Sequence, residues 1–213
     1  MYHNKVDKII NVIEKINNDN NNEYNTKLKE LKNMNNDFVG IPTIPNTIIN
    51  YPVTYSKDDY YLRHSFDKKQ SEAGALYIDK YNNIDPIDDN IIIYGHNMKN
   101  GTMFHDLLNY KDEDFYKNHK IIYFNKLNNK EKYEIISVFY SRVFYENENE
   151  FKYYKFYKAN NEEEFNNYIN NIKQLSLYDT KVDAKYKNKF ITLSTCEYSR
   201  ENGRFVVVAK KIN

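Results

Sequence analysis

From Asp37 to the C-terminus the apolar residues fall into short runs, and one longer stretch, 161–175, keeps a clear helical period. That alternation of short β-type runs with polar breaks constrains the fold most. The run Asn90 to Tyr94 (NIIIY) is unbroken and reads as a central strand. Ala75 to Asp79 reads as a shorter strand, and Thr47 to Thr54 (TIINYPVT) as a strand near an edge or bulge because it carries Pro52. Ile121 to Leu127 and Lys132 to Tyr140 form an expected hairpin through an Asn-Asn-Lys turn, after a short helix at Met103 to Tyr110. Lys189 to Thr195 (KFITLST) and Arg204 to Lys210 (RFVVVAK) are the closing pair, joined by a loop ending in Gly203. Seven or eight short strands with one inserted helix point to a closed or nearly closed β-barrel. In that helix Phe165, Tyr168, Ile169, Ile172 and Leu175 make the inward stripe, while Glu162, Glu163 and Glu164 suit the positive end of its dipole.

The N-terminal 36 residues follow a different pattern. Val6, Ile9, Ile10, Ile13 and Ile16 share one helical face, the tract Asn17 to Asn22 ends that helix, and Tyr24, Leu28 and Leu31 mark a second. The expected organisation is a helical appendage at 1–36 and a β-barrel domain at 37–213. Lys+Arg number 31 and Asp+Glu 30, so no bulk field recruits nucleic acid or an anionic membrane. No stretch approaches the roughly 18 apolar residues that a membrane-crossing helix requires. One cysteine excludes an internal disulfide, and the scattered Cys and His residues do not suggest a structural zinc site.

That cysteine, Cys196, is the first candidate for chemistry. A lone cysteine is most often a small buried hydrophobe. Cys196 instead ends a strand and precedes a polar loop, which places its sulfur at a barrel rim, where reactive thiols occur. His96 follows the central strand and a glycine (IIIYGHN), so its imidazole projects from a strand end; a plain surface histidine is the competing reading. Arg204 opens the last strand. If that strand pairs antiparallel with the one ending at Cys196, the two residues lie opposite or diagonal to each other. Together they compose a cysteine acyl-transfer site: thiolate nucleophile, imidazole acid/base, and guanidinium stabilising an oxyanion.

These residues also carry a resemblance. TLSTC at 192–196 with Arg204 after it, and IIIYGHNMKNGTMFHDLL at 91–108, resemble the active-site segments of the sortases in their class B form. TIINYPV at 47–53 and DDYYL at 58–62 are similar to the stretch ahead of the histidine. The resemblance covers the chain from about residue 38 onward. It implies an eight-stranded barrel with two N-terminal helices and a helix inserted between the sixth and seventh strands. It also implies a membrane-anchored transpeptidase on the Gram-positive cell surface that needs no metal or cofactor. Such enzymes cut a C-terminal sorting motif, of the NPxTx kind in class B, after its Thr. They hold the product as a thioester and pass it to a cell-wall amine. Carried over by motif position, Cys196 is the nucleophile, His96 the acid/base and Arg204 the oxyanion residue, with Ser194, Thr195, Tyr94, Glu197 and Leu62 lining the motif groove. The partners implied are surface proteins bearing the motif and a peptidoglycan amine.

The chain departs from that pattern in three respects. It shows no anchor segment and is expected to be the soluble outer portion of such an enzyme. Gly40 is followed by Ile41 and Pro42 where a Trp is common, and Asp58 stands where a motif-contacting Asn often occurs. Two other readings are a cysteine peptidase that resolves the thioester with water and a non-catalytic surface module. The order His before Cys argues against papain-like peptidases.

Overall fold

The computed structural model describes residues 7–8 and 21–212. The helix expected from Val6 to Ile16 lies outside the described residues, apart from Asp7 and Lys8, whose backbone is helical. Helix α1 (Asn21–Met34) presents Leu28 and Leu31, both fully buried, to Phe38, Ile41 and Phe66.

Eight strands follow: β1 (Phe38–Thr43), β2 (Val53–Thr54), β3 (Leu76–Ile78), β4 (Asn90–Gly95), β5 (Ile121–Lys126), β6 (Asn129–Arg142), β7 (Phe190–Cys196) and β8 (Gly203–Lys211). They close into a barrel in the order β1-β2-β3-β4-β7-β8-β6-β5. Most neighbours are antiparallel, but β2 pairs parallel with β3 and β4 parallel with β7. Side chains alternate between the barrel interior and its outer face. Ile91 and Ile93 of β4, Ile191 and Leu193 of β7, and Phe205, Val207 and Ala209 of β8 fill the interior. The outer faces of β6, β7 and β8 are covered by α3 (Glu162–Leu175), the helix inserted between β6 and β7, through Phe165, Tyr168, Ile169 and Ile172. The Asn161 side chain caps α3 by accepting from the Glu164 N–H at 2.9 Å, and the three glutamates occupy the first turn as expected.

Four local expectations need correction, the first being Leu175, which was expected in the inward stripe of α3 but is 42% exposed at the last residue of the helix. TIINYPVT is not one strand: only Val53–Thr54 pairs as β2, while Asn50 makes a single bridge to Thr43. The cause is a tight turn ahead of it, where Asn46 sits at φ 62° and the Thr47 hydroxyl donates to the Ile44 carbonyl. The helix expected at Met103–Tyr110 is a 3-10 helix at His105–Lys111, followed by a short α2 (Glu113–Asn118) capped by Asp112. The hairpin turns at Leu127 and Asn128, with Asn128 at φ 59°, so β6 begins at Asn129 and is longer than expected.

Candidate active site

The site is built where β4, β7 and β8 meet. In the parallel β4/β7 ladder Tyr94 is level with Ser194 and Gly95 with Thr195, which brings His96 beside Cys196. In the antiparallel β7/β8 ladder Cys196 and Arg204 are direct partners. Alternation then puts Tyr94, Ser194, Cys196 and Arg204 on the outer face, because Gly95, Thr195 and Phe205 take the inward positions. A cleft on this face is lined by Leu62, Tyr77, Tyr94, His96, Cys196 and Arg204, with Gly95, Ser194 and Thr195 in its floor.

Backbone requirements around the cleft explain both glycines that flank it. A Cβ on Gly95 would fall 2.6 Å from Phe104 Cδ2 and closer still to Leu76 Cδ2, so only glycine lets β4 approach the core here. A Cβ on Gly203 would strike the Glu197 carbonyl, and the Gly203 carbonyl in turn accepts from the Glu197 N–H at 3.0 Å, which closes the β7–β8 loop. Arg204 leaves this closure with its Nη1 donating to the Gly203 carbonyl at 2.9 Å and the Asn202 carbonyl at 3.3 Å.

Two of the expected groove residues act from beneath the surface. Ser194 is fully buried, its hydroxyl 2.7 Å from the Tyr153 hydroxyl, and Thr195 donates to the Gly95 carbonyl at 2.7 Å. Leu62 ends a 3-10 helix (Tyr60–Leu62) and is 37% exposed, open to a ligand in the cleft. Glu197 is not among the lining residues. Its buried carboxylate accepts from the Ser199 N–H at 3.1 Å and from the Ser199 hydroxyl, and lies 4.0 Å from Lys111 Nζ, so it organises the β7–β8 loop.

Electrostatics favour a neutral imidazole. Partial burial, followed by the positive charges of Arg63 and Arg204, holds the His96 pKa below its ordinary value. Sequence reasoning passed over Arg63, which carries no motif of its own. It also passed over Asp79, a buried carboxylate that accepts from the Tyr94 hydroxyl at 2.9 Å and the Tyr157 hydroxyl at 3.3 Å. Burial, with the Asp79 charge contributing, pushes the Tyr94 phenol far above its usual pKa, so Tyr94 faces the cleft as a neutral, fixed ring. The alternation of Ala75–Asp79 was the available signal for Tyr77, which shares the outer face with Tyr94 across the β3/β4 pair.

A model of the Sortase domain matches residues 42–212. The chain belongs to the sortase family. Sortase B of Listeria monocytogenes serovar 1/2a is 37% identical over 190 residues, covering 87% of this sortase and 74% of that protein. Among solved structures, a Staphylococcus aureus sortase B–substrate complex is 27% identical with a TM-score of 0.85, covering 100% of this chain and 96% of that one. A sortase B complexed with triglycine is likewise 27% identical with a TM-score of 0.85, covering 100% and 97%. The sortase is therefore a class B cysteine transpeptidase built on the family's closed eight-stranded barrel. No helix among the described residues is long and apolar enough to cross a membrane.

Proposed function

We propose that this sortase cleaves an NPxTx-like C-terminal sorting motif after its Thr and transfers the new carboxyl end to a cell-wall amine. The observation that carries the reading is the register: Cys196 is paired with Arg204 on one side and adjoins His96 on the other, on one face of one cleft. In this reading the Cys196 sulfur attacks the Thr carbonyl carbon and its proton passes to the His96 imidazole, whose lowered pKa keeps it neutral and able to accept. The oxyanion is met by the Arg204 guanidinium. Collapse breaks the C–N bond, and the imidazolium returns its proton to the departing amine, leaving a thioester. An incoming amine attacks that thioester and gives a proton to His96; the C–S bond then breaks and the imidazolium returns the proton to the sulfur, which restores the thiol. Leu62, Tyr94, Ser194 and Thr195 shape the motif groove, and Glu197 supports it through the loop.

The complexes of related sortases with substrate and with triglycine support a sorting peptide and an amine as the two reactants. Surface proteins bearing the motif and a peptidoglycan amine are the partners, and the outer face of the cell is the working place. Residues 1–36 serve as an appendage to the catalytic barrel at 37–213. Incubation with a quenched NPxTx peptide, with and without an amine acceptor, tests this by product mass. Cleavage after Thr with amine-linked product is the expected result. Hydrolysed product alone, even with acceptor present, would assign a peptidase instead. No cleavage across a panel of motifs would refute the enzyme–substrate assignment and leave the non-catalytic reading.

A further inference from the structure

The β4/β7 ladder ends at Gly95 and Thr195, so His96 and Cys196 lie one step beyond its last rung. Parallel backbone pairing does not fix these two residues against each other. A side chain does. Asn97 is 8% exposed; its Nδ2 donates to the carbonyl of Cys196 at 3.2 Å, and its Oδ1 lies 2.9 Å from Nδ1 of His105. The opposite amide orientation would set two oxygens against each other at the Cys196 carbonyl, with no hydrogen between them. With Oδ1 thus the acceptor, the hydrogen of the second contact belongs to His105 Nδ1. The main chain of Asn97 is held as well. Its carbonyl accepts from the Tyr198 hydroxyl at 3.2 Å, it bridges to Met103, and the preceding His96 carbonyl accepts from the Phe104 N–H at 2.9 Å. One residue therefore joins the turn that carries the imidazole, the strand end that carries the thiol, and the β7–β8 loop.

We propose that Asn97 is a positioning residue that sets the separation of the His96 imidazole and the Cys196 thiol, with His105 fixing the orientation of its amide. The proposal rests on the acyl-transfer reading above and adds to it a group that touches no substrate. A misplacement of about 1 Å between reacting groups can lower turnover on the order of a hundredfold, so a lost side-chain tie is enough to be felt in the rate. Motif binding, made by the cleft walls, should change little.

Because the chain has one cysteine, its alkylation reports on Cys196 alone. The variants Asn97→Ala, His105→Phe, His105→Asn and His96→Ala would be compared with the unaltered chain in two assays: NPxTx-peptide kinetics, and the pH profile of iodoacetamide alkylation followed by mass. For Asn97→Ala the expected result is a kcat lower by about 10–100-fold with KM within about threefold, together with an alkylation profile displaced toward that of His96→Ala. His105→Phe should show part of the same defect. His105→Asn, which retains a donor where Nδ1 stood, should recover toward the unaltered chain. Asn97→Ala and His105→Phe with unchanged kcat and unchanged alkylation profiles would overturn the proposal. So would equal losses in His105→Asn and His105→Phe, because then the retained donor would be irrelevant. A chain that ignores every motif peptide, but whose alkylation profile still responds to Asn97→Ala as it does to His96→Ala, would refute the substrate assignment and leave the clamp standing.

Discussion

Gly95→Ala is the substitution whose effect follows most directly from the geometry. The added methyl would meet Leu76 Cδ2 and Phe104 Cδ2 and Cγ, the latter two at 2.6 and 2.8 Å. Ordinary carbon contacts lie at about 3.5–4.0 Å, so roughly 1 Å of displacement is needed. Neither neighbour can swing into solvent: Leu76 and Phe104 are both fully buried in the barrel core. Overpacking of this kind costs about 1–3 kcal/mol, and the lack of an escape direction places this site in the upper half of that range. At this chain length each kcal/mol lowers Tm by about 2–4 °C, so a fall of roughly 4–12 °C is expected in a thermal melt. The same displacement acts on the neighbouring His96, and turnover of a motif peptide should drop on the order of a hundredfold. Truncating Leu76 to Ala removes the nearer contact, so the paired substitutions should be less than additive. A Gly95→Ala protein that melts within about 1 °C of the original and turns over normally would refute the close-approach argument.

Other outcomes are equally specific. Cys196→Ala should abolish cleavage with the circular dichroism spectrum intact, since a residue at the rim contributes little to the core; retained turnover would remove Cys196 from the mechanism. Arg204→Lys should lower kcat at least about tenfold, because an ammonium lacks the planar fork, and near-normal kinetics would reduce Arg204 to a structural residue. Arg63→Ala removes a positive charge that opposes the imidazolium, so the His96 pKa should rise toward its ordinary value in an NMR titration; a fall would reverse the sign of the argument. In the unaltered protein the same depressed pKa makes the unfolded chain bind the extra proton first. The His96 contribution should therefore weaken the fold as pH drops from about 6.5 toward the folded-state value. Asp79→Asn loosens the acceptor shared by Tyr94 and Tyr157 and should raise KM several-fold with a smaller change in kcat; an unchanged KM would separate Asp79 from motif binding.

What could be read from the sequence depended on how far each signal reached along the chain. β4, β7, β8 and α3 were legible because unbroken apolar runs and a helical stripe with three leading glutamates are local patterns. The pairing of Cys196 with Arg204 was also within reach, since a single loop joins their strands. TIINYPVT was misleading because its β-branched residues outweighed the turn chemistry around Pro45 and Asn46. Glu197 was placed in the groove by motif position, yet the chain turns there and sends its carboxylate to Ser199. Asn97, Arg63 and Asp79 were invisible for a common reason. Each acts through a carbonyl, an imidazole or a phenol supplied by a distant segment, and no spacing rule encodes such a partner.

The parallel pairing of β4 with β7 carries a consequence for how the enzyme comes into being. His96 and Cys196 are a hundred residues apart, with β5, β6 and α3 between them in the chain, so their strands can meet only by closing a long loop. Such non-local pairing places the chain among slow-closing topologies. Until the sheet closes, the thiol is an ordinary cysteine of a flexible chain, without the imidazole and with Arg204 held only by a loop. Nucleophilic competence is thus a property of the finished cylinder and of no fragment of it, so the appearance of Cys196 reactivity toward a motif peptide during refolding marks the moment of closure.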